Sequence, residues 1–109
     1  MEHFVTNIDI LKEKGLLKVE VMYKAILLIY TEGKLYAIED RCPHLGISLA
    51  TSKIDNNTIK CKEHGLPISL ITGEVMSETQ ASFLRLDKNS RHIKTYPVFI
   101  KDDKVYIKI

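Results

Sequence analysis

Apolar residues in this chain gather in short runs broken by polar turns, the pattern of strands. Leu16, Val19 and Val21 open a β-rich stretch, and Ala25-Ile26-Leu27-Leu28-Ile29-Tyr30 continues it. Thr31-Glu32-Gly33-Lys34 supplies a turn before Leu35-Tyr36-Ala37-Ile38, so the region reads as a meander. Asn56-Asn57 then separates Lys53-Ile54 from Thr58-Ile59-Lys60. Asparagine tolerates the positive φ of a tight hairpin, which here leads into Cys61. Thr72-Gly73 marks another turn. Tyr96 to Ile100 and Val105 to Ile109, on either side of Lys101-Asp102-Asp103-Lys104, read as a closing hairpin in which Pro97 suits an edge or a strand start.

One segment breaks the pattern. Ile8 to Lys14 has apolar residues at positions 8, 10 and 11 and is followed by Gly15, which predicts a short helical turn. The stretches Ser77 to Ser82 and Asp87 to Arg91 read as loops, and no internal repeat stands out.

With 109 residues, 45% apolar and 28% charged, the chain fits one globular domain over 1–109 with a modest core and no room for a second catalytic domain. Its 16 basic and 14 acidic residues are scattered and leave a net charge of +2, so no basic stripe argues for nucleic acid. Met1-Glu2-His3-Phe4 does not open a signal peptide, and Ala25 to Tyr30 falls far below the roughly 18 apolar residues of a membrane helix. A cytoplasmic protein without a membrane anchor is expected. There, two cysteines suit metal ligation better than a structural disulfide.

Both cysteines sit in short motifs, Cys42-Pro43-His44 and Cys61-Lys62-Glu63-His64, with 16 residues between them. Each motif joins a soft thiolate to an imidazole, so bringing them together offers a metal centre two sulfurs and two nitrogens. Gly46 and Gly65 follow closely and allow sharp turns that bring backbone N–H groups near the ligands. A single tetrahedral zinc ion would also accept two Cys and two His, although zinc knuckles usually pair like ligands.

The segment Leu35 to Gly46, the stretch Cys61 to Gly73 and the closing hairpin resemble Rieske-type ferredoxins over most of the chain. The resemblance implies an all-β fold of packed antiparallel sheets with an inserted rubredoxin-like cluster-binding subdomain, here about 40–75. It implies one [2Fe-2S] cluster, with Cys42 and Cys61 on one iron and His44 and His64 on the other. The implied function is that of an electron carrier rather than an enzyme, taking electrons from a flavin reductase and passing them to an oxygenase or another oxidoreductase. The small subunit of an assimilatory nitrite reductase is an alternative with a similar fold. An oxygenase itself is disfavoured, because after the cluster ligands only His3 and His92 remain for a second iron.

Departures from the family sharpen the expectation. Ile47 and Glu63 stand where respiratory relatives carry a disulfide, and Leu66 and Ile68 stand where those relatives place hydroxyl donors to cluster sulfur. A potential near the low end of the Rieske range, about −150 mV, is expected. Leu45 is a candidate shield for the cluster, Tyr36 and Phe99 are expected in the core, and His3 and His92 at the surface.

Overall fold

A computed structural model describes every residue except Leu45, on which the proposed cluster shield falls. The elements run β1 (Glu2–Asn7), α1 (Ile8–Lys14), β2 (Leu16–Val21), β3 (Lys24–Thr31), β4 (Lys34–Glu39), β5 (Lys53–Asp55), β6 (Thr58–Lys60), β7 (Pro67–Ser69), α2 (Glu78–Phe83), β8 (Val98–Lys101) and β9 (Lys104–Lys108). They form three antiparallel sheets, ordered β1-β9-β8, β2-β3-β4 and β5-β6-β7.

Three hairpins use two-residue turns in which both central residues have positive φ: Met22-Tyr23, Glu32-Gly33 and Asp102-Asp103. This turn geometry matches the right-handed twist of the strands it joins. Strand β3 shows why the meander holds its register. Successive side chains point to opposite faces, so Ile26 and Leu28 enter a core with Ile8, Leu11, Val105 and Ile107, while Leu27 and Ile29 enter another with Leu49, Ile59, Leu66 and Ile68. The strand is therefore buried on both faces, which explains its unbroken apolar run. Cys42 and Cys61 belong to the second of these cores.

Glu2–Asn7, left unassigned by the sequence pattern, is a strand, because it pairs with β9 at the far end of the chain. Four sequence expectations are corrected. Ser77 to Ser82 is mostly not loop: the Ser77 hydroxyl accepts the Gln80 N–H at 3.1 Å and caps α2, whose Ala81 is buried. A single 3₁₀ turn covers Lys88–Ser90. Phe99 is only half-buried and stacks on Tyr106, with ring centroids 5.4 Å apart, outside both cores. Tyr36 does pack against a core. His92 is exposed, whereas His3 is half-buried with its Nε2 shut off from solvent and unpartnered. No helix among the described residues is long and apolar enough to cross a membrane.

Candidate metal centre

The two motifs fold as a structural repeat that the sequence reading did not find. In Cys42 to Ile47 and in Cys61 to Leu66, the cysteine N–H donates to the carbonyl five residues on, at 2.7 and 2.9 Å. Glycine stands fourth after the cysteine in both, with φ of 70° at Gly46 and 63° at Gly65. The sixth residue packs inward, Ile47 against the core and Leu66 within it. The pattern Cys-x-x-x-Gly-aliphatic, written twice, was the available signal. The histidines break the symmetry, because His44 is third and His64 fourth in its loop, and His64 itself has a φ of 66°.

Each loop is anchored from outside. Asp40, with a side chain only 1% exposed, accepts the Leu49 N–H at 2.7 Å and the Ser48 hydroxyl at 2.8 and 2.9 Å, and it pairs with Lys18 of β2 at 3.3 Å. This carboxylate ties both ends of the first loop to the central sheet. The second loop is held by α2, whose Gln80 amide donates to the His64 carbonyl at 3.0 Å. Arg91 in turn donates to the Leu86 carbonyl and to Glu78, bracing the segment that carries α2. Sequence reasoning missed both anchors, since neither Asp40 nor Gln80 has a distinctive spacing to the ligands.

The four candidate donors converge as two pairs. The Cys42 and Cys61 thiols are both buried in the same core. Burial, and then the Cys42 thiol beside it, push the Cys61 thiol up to about 11, while the Glu63 N–H directed at its sulfur pulls the other way. The His44 and His64 rings meet edge to face with centroids 5.2 Å apart. His64 is exposed and His44 half-buried, and the buried Nδ1 of His44 has no partner. Among the described residues, no three His, Cys, Asp or Glu side chains close on a single ion. A buried sulfur pair, a separate imidazole pair and an orphaned ring nitrogen fit a group with two metal positions, softer at one end than at the other.

A mostly β scaffold that holds paired Cys/His loops in this way fits the class of small iron–sulfur electron-transfer proteins. Comparison with known proteins makes the class definite: the family model of the Rieske [2Fe-2S] domain matches residues 2–97, and the chain belongs to that family. It is 32% identical over 107 residues to the 3-phenylpropionate/cinnamic acid dioxygenase ferredoxin subunit of Photorhabdus laumondii, covering 97% of this chain and 92% of that one. It is 29% identical to the ferredoxin component of the naphthalene 1,2-dioxygenase system of Pseudomonas putida, covering 91% and 86%. Among solved structures it superposes on the terminal oxygenase of carbazole 1,9a-dioxygenase from Nocardioides aromaticivorans with a TM-score of 0.85 at 23% identity. That match covers 99% of this chain but only 30% of the oxygenase, and it speaks for the fold alone. The protein is thus an electron carrier with a Rieske cluster and not itself a catalyst.

Proposed function

We propose that Cys42 and Cys61 hold one iron and His44 and His64 the other, within a cluster-binding unit of about 40–75 in a single domain of 1–109. The pairing of the four donors carries this reading. A lone zinc ion is disfavoured, because zinc knuckles usually pair like ligands whereas each loop here mixes a cysteine with a histidine. The cluster supplies a one-electron couple at a site the chain has shaped. The buried cysteines keep the sulfur end away from water, and Leu66 and Ile68, both fully buried, present no hydroxyl to it. The exposed His64 brings the imidazole end to the surface, where a partner approaches over a short path.

The carrier takes electrons from a flavin reductase in the cytoplasm and delivers them to the terminal oxygenase of an aromatic-ring dioxygenase. The two ferredoxin relatives, both components of dioxygenase systems, support the oxygenase as acceptor. Purified protein should contain about two irons and two sulfides per chain. Reduced anaerobically and mixed with an oxidised aromatic-ring terminal oxygenase, it should be reoxidised as the oxygenase is reduced. Stoichiometric zinc, or reoxidation by oxygen but by no oxygenase, would overturn the reading.

A further inference from the structure

Beside the second loop lies a cavity of about 310 Å³ lined by Thr51, Lys53, Lys60, Cys61, Lys62 and Gly65. Three of these six residues are lysines and none is acidic. Lys53 and Lys60 are direct cross-strand partners in the register of β5 and β6. Like charges placed opposite one another on a sheet destabilise it, the more so on strands of only three residues. No ion pair among the described residues involves either lysine, the pairs being Lys18–Asp40, Arg41–Glu39 and Arg91–Glu78. Asp55 and Glu63 are the acidic residues closest in sequence, yet neither lines the cavity or pairs with a lysine.

A contrasting lysine pair, Lys101 and Lys104, is also opposed across two strands, but it brackets the turn residues Asp102-Asp103 and lies in another sheet. The Lys53–Lys60–Lys62 group instead opens at a wall built from Cys61 and Gly65 of the loop that carries His64. All three side chains are exposed. The geometry points to a docking face, on the second-loop side of the redox site, for a carboxylate-rich surface of the protein electron partner. This inference rests on the electron-carrier reading and adds the partner's chemistry. Charge complementarity selects the occupant: an acidic surface would relieve the lysine repulsion while steering encounter toward the histidine end.

The test uses holoprotein with its cluster and compares K53E/K60E/K62E with the control K14E/K101E/K104E, which carries the same change in net charge. Iron content and visible spectrum, read first, report on the carrier function independently of the docking face. Reduced protein is then oxidised by ferricyanide, an anion, and by tris(phenanthroline)cobalt(III), a cation. Ionic strength is varied from about 0.01 to 0.15 M, over which screening shortens from about 30 to 8 Å. The cavity variant should lose roughly tenfold in rate with ferricyanide and gain with the cobalt complex, mostly at low salt, and the control should change little with either. Poly-L-glutamate, the probe for an acidic protein surface, should inhibit ferricyanide oxidation of the unmodified protein and not of the cavity variant.

Equal effects in the two variants would overturn the proposal, since overall charge would then explain them. So would a change in reduction potential with unaltered charge selectivity, because the lysines would then tune the cluster instead of docking a partner. If poly-L-glutamate fails while duplex DNA or phosphatidylglycerol vesicles bind through the same lysines, the acidic protein surface is likewise overturned as the occupant.

Discussion

Replacing Asp40 with alanine should release the first ligand loop while leaving all four candidate ligands in the sequence. The carboxylate is 1% exposed and accepts hydrogen bonds from two donors, the Ser48 hydroxyl, shared between its two oxygens, and the buried Leu49 N–H. Truncation leaves that N–H without a partner, at a cost of about 1–3 kcal/mol. Ser48 is only half-buried and its hydroxyl can turn to water, so its loss adds about 1 kcal/mol. The Lys18 pair adds little, at most about 1 kcal/mol, because the lysine is 56% exposed and screened by solvent. The total is about 3 kcal/mol, concentrated within a few residues of Cys42. Hydrogen exchange read by mass spectrometry on the holoprotein should therefore accelerate on the order of a hundredfold over residues 48–50, at about 1.4 kcal/mol per tenfold. Asp40→Asn keeps an acceptor for Leu49 and loses mainly charge, so its exchange should rise only about tenfold. Exchange in Asp40→Ala within threefold of the unmodified protein would refute the anchoring role.

Gly73→Ala should destabilise by about 2–5 kcal/mol, because the φ of 79° disfavours a side chain and a Cβ would overlap the Ile93 carbonyl oxygen; a thermal midpoint lowered by less than about 5 °C would contradict this. Glu39 tests the acid limb. Burial raises its pKa, but the Lys94 N–H and the Arg41 guanidinium outweigh burial and hold it below its ordinary 4.5. Its contribution is thus present above the unfolded value and lost as pH falls through the lower folded value. The stability gap between the protein and Glu39→Gln should close as pH falls below about 4.5, and a gap constant in urea titrations from neutral pH to pH 3 would count against it. Finally, voltammetry should place the potential near −150 mV, toward the bottom of a range reaching roughly +300 mV, and Leu66→Ser should raise it by offering a hydroxyl to the sulfur end. A value well above zero in the unmodified protein would rule out this account.

Local chemistry sufficed where neighbours in sequence are neighbours in space. The meander follows from alternation and turn residues along β2 to β4, and the proposed metal centre rests on two cysteines and two histidines at short spacings within their own loops. The family could be read from those same residues. What depended on distant partners was not legible. Strand β1 exists because it pairs with β9 across the length of the chain, and α2 because Ala81 finds a buried place, although its Ser77 cap on Gln80 is a local signal of the Ser-x-x-Gln type. Asp40 and Gln80 became loop anchors only when folding carried them to Leu49 and to the His64 carbonyl. The lysines at positions 53, 60 and 62 looked like scattered surface charge until strand register set two of them face to face beside Cys61. A sequence states which donors, charges and turn formers are present. The distances that turn them into a clamp, an anchor or a charged face arise from long-range pairing, which no local spacing encodes.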